Sequence, residues 1–187
     1  GAPIISYRNS SKKALEIVEE INKSGGECTA IELDVLSCEF YLGKEGIQEK
    51  LKNVTTVYYF ATPKIFNRRS TLFSKEQFDL FCDIYVSGFF NVISYIRKIT
   101  NNNTLTIFYP SSTALDEQLP DMVEYAAAKF AGEAMCMHLT KIFPSINIII
   151  ERLPRMLTDQ TNSIVQAKNK PIAEVMLPIL RNSTNNF

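Results

Sequence analysis

Residues 108–133 read FYPSSTALDEQLPDMVEYAAAKFAGE, and this stretch decides how the rest of the chain is read. An apolar, β-prone run (Thr104 to Tyr109) ends in two serines, a polar turn holds Pro120 and Asp121, and a helical pattern then runs from about Glu124 to Ile142. Tyr125 and Lys129 are four residues apart, so on a helix they share one face. Ser112 lies thirteen residues before Tyr125, just past the strand. In an α/β sheet the strand ends are where ligands bind. A Tyr-x-x-x-Lys spacing alone arises in about one random chain of this length in three. The serine at a strand end ahead of it is what makes the spacing informative.

Outward from this stretch the chain alternates strands and helices. Pro3 to Tyr7, Thr29 to Val35, Thr55 to Ala61 and Ile146 to Leu153 join Thr104 to Tyr109 as expected strands. Several are apolar throughout rather than alternating, as strands covered on both faces are. Expected helices run from Ser11 to Lys23, Phe40 to Lys52, Lys75 to Lys98, Glu124 to Ile142 and around Pro171 to Leu180. Ser10 or Ser11 can cap the first, and Gly25-Gly26 can end it through a left-handed residue. The stripe from Phe78 through Phe81, Tyr85, Phe89 and Ile93 to Ile96 is core packing. Repeated β-α-β order gives a single domain over 1–187: α/β, doubly wound and Rossmann-like, a mostly parallel sheet with helices on both faces.

Lys plus Arg and Asp plus Glu number 20 each, so the net charge is zero. Such a chain has no long-range attraction for nucleic acid or anionic membranes, and no partner of either kind is expected. No apolar run approaches the roughly 20 residues of a membrane helix. Cys28, Cys38, Cys82 and Cys136 are scattered, and His138 is the only histidine. Clustered metal ligands are lacking, so no metal site is expected. The cysteines fit buried thiols of a cytoplasmic protein. His138, three turns along from Tyr125, reads as a packed or surface residue.

These segments together resemble the short-chain dehydrogenase/reductase family. Ala2 to Arg8 is similar to the family's second strand with its terminal basic residue, and Leu33-Asp34-Val35 to the end of its third. Tyr58 to Thr62 stands where the family has an Asn-Ala-Gly turn, with Ala61 preserved. Tyr85 to Val92 resembles the N-x-x-G-x-x-N helix, Ser112, Tyr125 and Lys129 match the catalytic serine, tyrosine and lysine, and Arg152 to Thr161 resembles the proline-led loop after the sixth strand. The resemblance implies a ketoreductase-like, NAD(P)-dependent oxidoreductase acting on a small-molecule or carrier-bound carbonyl. It also implies a homodimer through the helices around 75–98 and 124–142. The cofactor side falls to Arg8, Asp34, Ala61 and Lys129, with Arg8 able to pair with a 2′-phosphate and favour NADP over NAD.

The residue types suit that chemistry. A tyrosine of pKa about 10 exchanges protons poorly near neutrality, and an ammonium nearby favours its phenolate. Lys129 is expected to supply that charge, and the Ser112 hydroxyl to hydrogen-bond the substrate oxygen as charge grows there.

Two positions depart from the pattern. The family's active-site asparagine falls at Tyr85, which has no carboxamide. No G-x-G occurs among the seven glycines, so the strand–glycine-turn–helix unit that cradles a pyrophosphate is expected to lie upstream of Gly1 and to be absent here. Cofactor binding by this chain alone is then expected to be weak or nil. The gap left in the sheet is expected to be filled or closed. A rival alignment makes Pro3 to Tyr7 the first strand, with Ser10 and Ser11 facing the phosphates and Asp34 holding the ribose. Two other readings remain beside catalysis by a ketoreductase. One is a catalytically degenerate structural or interaction domain. The other is the extended branch of the family, sugar-nucleotide epimerases and acyl-thioester reductases, whose Y-x-x-x-K-x-x-x-E is similar to residues 125–133, with arginines flanking Pro154.

Overall fold

Strand β5 (Leu105–Ser112) carries three consecutive residues, Ile107, Phe108 and Tyr109, that are wholly buried. A strand apolar on both sides must be covered on both sides, and the computed structural model shows how. It describes residues 1–37, 39–41, 46–63, 72–101, 104–156 and 171–184. β4 (Thr56–Tyr58) and β6 (Ile146–Leu153) flank β5, both parallel to it. Ile107 and Tyr109 face a core shared with α4 (Phe89–Ile99) and α6 (Val123–Ile142). Phe108 points the other way, against Leu153 and Met176 of α7 (Ile172–Thr184).

A second sheet precedes this one in the chain. β1 (Ile4–Tyr7) runs through α1 (Ser11–Lys23) to β2 (Thr29–Asp34), which pairs parallel to it, and β3 (Glu39–Tyr41) adds an antiparallel edge. Gly25, at φ 83°, ends α1 in the left-handed conformation its sequence required. The α/β architecture with parallel strands and helices on both faces is therefore present. The strands, however, form two three-stranded sheets, β1-β2-β3 and β4-β5-β6. Among the described residues no strand fills or closes the interval between β1 and β4, contrary to expectation. Helices bridge it instead: Ile31 and Leu33 of β2 share one core with Ile47 and Leu51 of α2 (Ile47–Lys52), with Phe89, Val92, Ile93 and Ile96 of α4, and with β5. Burial beneath both sheets substitutes for a ladder between them. Leu15, Ile17 and Phe60 remain about half exposed.

Three local expectations need correction. The helix placed at 40–52 begins only at Ile47, because Gly46 adopts φ 91°, a left-handed backbone that no helix accommodates, and a short strand precedes it. The helix at 75–98 is interrupted: α3 (Lys75–Cys82) passes into a π-helical turn, Asp83–Gly88, before α4 resumes. Hydroxyls from the neighbouring sheet engage that widened turn. Tyr59 Oη donates to Ile84 O at 2.7 Å, and Tyr109 Oη donates to Tyr85 O at 3.2 Å. A short helix, α5 (Ala114–Glu117), stands inside the stretch read as turn. Cys38, Gly43, and the proline-led loop beyond Met156 lie outside the described residues. Among the described residues no helix is long and apolar enough to cross a membrane.

Gly132 fixes how closely α6 lies on β5. A Cβ there would stand 1.8 Å from Tyr109 Oη and 2.6 Å from its Cζ. This close packing is made within the chain, against β5. Gly132→Ala should destabilise the fold by about 3 kcal/mol, the upper range for overpacking a core. Tyr109→Phe should cost only about 1 kcal/mol, one hydrogen bond. Urea unfolding of the two variants checks both, and an unchanged midpoint for Gly132→Ala would refute the packing role.

Candidate active site

The end of β5 and the first turns of α6 bring Ser112 and Tyr125 together, close enough for the serine hydroxyl to lower the Tyr125 pKa. Ser112 is held in place by its own turn: its Oγ accepts from Ala114 N at 3.2 Å, at the start of α5. Tyr125 is 8% exposed and packs edge-on against Phe81 and Tyr85, with ring centroids 5.7 and 5.8 Å away. The residue before it, Glu124, is buried and accepts from Ser74 N at 2.5 Å, tying the start of α6 to the N-cap of α3. Ser74 Oγ in turn accepts from Gln77 N.

Lys129 is 6% exposed, and its Nζ donates to Pro110 O at 2.6 Å. The ammonium also sits 4.0 Å from the ring centre of Tyr85 and 5.1 Å from that of Tyr109, where a ring face attracts a cation. Tyr85, at the position of the family's asparagine, thus touches both Lys129 and Tyr125. Its hydroxyl bonds to Thr62 Oγ1 at 2.7 Å. Burial pulls the Lys129 pKa down to about 7, opposed by Cys136 and Glu133. Burial pushes Tyr125 above its ordinary value, and the hydrogen bond with Ser112 only partly offsets this. The lowering of Tyr125 by Lys129 expected from their spacing is therefore not what the chain by itself produces. Water exclusion dominates the shift.

Further along the sheets, Arg8 at the end of β1 pairs with Asp34 at the end of β2, Nη2 to Oδ2 at 2.9 Å. Asp34 Oδ1 also accepts from Leu36 N at 2.9 Å. The two residues assigned to the adenosine side of a cofactor are thus brought together. Ala61, just past β4, is partly buried and touches both main cores. A dinucleotide's pyrophosphate is a different matter. Its cradle needs backbone N–H groups at a strand end where no Cβ intrudes. The described glycines lie before β1, after α1, ahead of α2, in the π-helical turn and in α6, none at the C-terminal end of a parallel strand. The described residues suit the adenosine end and do not suit the pyrophosphate. Among them no group of three or more His, Cys, Asp and Glu could hold a metal ion, and His138 is exposed.

Sequence reading noted Glu133 and Arg152 separately but did not join them in one cluster. Glu133, one helical turn beyond Lys129, accepts from Ser111 Oγ at 2.5 Å and from Arg152 Nε and Nη2 at 2.9 and 2.8 Å. Arg152 also binds Asp116 of α5 and lies 5.3 Å from the Phe130 ring centre. Hydrogen bonds from Arg152, then Ser111, hold the Glu133 carboxyl below its ordinary range. The signal was available: Glu133 repeats the four-residue step from Tyr125 to Lys129, and an arginine closes β6.

The ionisation of Lys129 fixes a pH dependence. Its folded pKa, about 7, is below the unfolded value of 10.5, so between these the unfolded chain binds more protons and stability rises with pH. The slope is at most about 1.4 kcal/mol per pH unit. Above pH 9 the effect reverses. Burial holds Cys136 at about 12 against an ordinary 9.0, and Tyr85, Tyr109 and Tyr125 are likewise raised, so the unfolded chain loses protons first. Stability should therefore climb from pH 7 to 9, and in Lys129→Met that climb should vanish. Urea unfolding at pH 7, 8 and 9 measures it, and parallel profiles for the two proteins would contradict it.

The short chain dehydrogenase family model matches residues 1–169. No curated protein matches the chain. Among solved structures, LugOII, a promiscuous reductase that catalyses keto-reduction at C1 during lugdunomycin biosynthesis, is 18% identical with a TM-score of 0.72, over 87% of this chain and 67% of its own. FolM alternative dihydrofolate reductase 1 from Brucella suis, in complex with NADP, is 13% identical with a TM-score of 0.67, over 86% of this chain and 65% of its own. An alcohol dehydrogenase from the archaeon Thermococcus sibiricus, complexed with 5-hydroxy-NADP, is 15% identical with a TM-score of 0.76, over 98% of this chain and 90% of its own. The chain thus spans about two thirds of the length of the first two. With the family model matching most of its length, the chain belongs to the short-chain dehydrogenase family.

Proposed function

We propose that the intact protein is an NAD(P)H-dependent carbonyl reductase of ketoreductase type, acting on a small-molecule or carrier-bound carbonyl. The observation that carries this reading is the juxtaposition of Ser112 and Tyr125 at the end of β5. The Ser112 hydroxyl donates to the carbonyl oxygen, and the Tyr125 hydroxyl gives that oxygen its proton as it becomes an alcohol. The Tyr125 phenol is protonated at neutral pH, as an acid for reduction must be. Because burial raises its pKa, the positive charges of Lys129 and of the oxidised cofactor would have to offset that burial. Arg8, beside Asp34, would favour NADP. The pyrophosphate cradle would come from outside the described residues, so this chain alone should bind the cofactor weakly or not at all. The free thiols among the described residues suit a cytoplasmic setting.

One observation favours the degenerate reading as a second. Lys129 is engaged by Pro110 O and the Tyr85 ring, where the family has an asparagine. Catalysis separates the two. Tyr125→Phe in the intact protein should lower NADPH-dependent reduction of a ketone panel by at least about 100-fold while leaving the melting temperature in place. Absence of turnover in the unsubstituted intact protein would favour the degenerate domain. For residues 1–187 alone, a cofactor-fluorescence titration should show no tight NADPH binding. Tight binding would show that the glycine turn is dispensable.

We further propose a homodimer through the helices around 75–98 and 124–142. Leu80, Phe90, Phe130, Met137 and Ile142 are 39–62% exposed there, apolar surface that a partner subunit would cover. Light scattering at micromolar concentration should give twice 21.2 kDa, and a monomer would contradict the assignment.

A further inference from the structure

Three elements converge on the Glu133 carboxylate. Ser111, between Pro110 and Ser112 on β5, donates to it at 2.5 Å. Arg152, near the end of β6, donates through two nitrogens, and a third binds Asp116 on α5. The neighbours of Ser111 are the two β5 residues that meet the proposed catalytic side chains: Pro110 O accepts from Lys129, and Ser112 lies beside Tyr125. A single carboxylate on α6 therefore pins the strand end that positions both. It is also the nearest fixed negative charge along the helix from Lys129, which has been taken out of water. An ammonium so buried needs a compensating charge to persist. The other groups facing Lys129 are the Tyr85 and Tyr109 rings and the Cys136 thiol, all neutral near pH 7 because burial raises each of them.

We propose that Glu133 is a positioning residue of this site: its carboxylate locks the end of β5 onto α6 and sustains the charge of Lys129, with Arg152 as its counter-ion. Its relevance to catalysis rests on the function proposed above, but its effect on Lys129 is measurable without substrate or cofactor.

The experiment uses residues 1–187 with 13Cε-labelled lysine, following the Lys129 resonance, assigned by its loss in Lys129→Arg, through a pH titration. Glu133→Gln keeps the size and removes the charge, so the Lys129 midpoint should fall by about half a pH unit or more. A purely structural role predicts the reverse, because loosening α6 admits water and raises the midpoint toward the ordinary lysine value. A rise or an unchanged midpoint in Glu133→Gln overturns the proposal. If circular dichroism shows that this variant does not fold, Arg152 carries the test. Arg152→Gln leaves Glu133 unbalanced and should raise the midpoint, whereas Arg152→Lys keeps the charge and should leave it near the unsubstituted value. Equal rises in both would overturn the proposal. An intact protein that reduces no carbonyl would refute the proposed function and leave this titration intact.

Discussion

The contact of α6 with Tyr109 governs the site. Tyr109 is wholly buried on β5, and its hydroxyl projects to where any side chain at residue 132 would stand. Only a glycine lets the helix settle there, and the same hydroxyl then reaches the Tyr85 carbonyl in the π-helical turn. Strand, helix and turn are thus fixed by one phenol. Tyr85, Lys129 and Tyr125 take their places because of it: the ring of Tyr85 lies against both others.

That packing determines the electrostatics. With water excluded, the tyrosines are held protonated and Lys129 is brought close to neutrality. A site this dry strengthens every fixed charge beside it. For that reason the Glu133–Arg152 pair counts for more near Lys129 than an exposed ion pair such as Lys23–Glu19 does on α1. The aromatic cage also accounts for tyrosine at residue 85. A carboxamide would offer Lys129 a hydrogen bond, whereas a ring offers a face and needs no water.

The two sheets meet different demands. β4-β5-β6 presents Ser112 at a strand end, and β1-β2-β3 presents Arg8 and Asp34 at another. α2 and α4 bind the sheets into one core without a ladder between β1 and β4. The pyrophosphate of a dinucleotide has no cradle among the described residues, although its two ends have candidate contacts. The family relationship and the adenosine-side pair therefore coexist with described residues that offer no cradle for the middle of the cofactor.

The amino-acid sequence by itself determined the order of elements, because apolar runs and helical periodicity are local properties: α1 has the bounds its pattern predicts, and β6 spans Ile146–Leu153 as read. It also singled out the candidate site. The serine, tyrosine and lysine are candidates by their spacing along one strand–turn–helix, and the fold sets the Ser112 hydroxyl beside Tyr125. Tertiary structure decided the rest. Whether β1 and β4 pair is a matter of long-range contact, and no local pattern records it. The π-helical turn is engaged by hydroxyls from β4 and β5, more than twenty residues away in either direction. Lys129 turns to Pro110, and Glu133 gathers Ser111 and Arg152, because folding removes water from groups whose partners lie on other strands. Spacing can place such residues on one face of a helix. Only burial sets their charge.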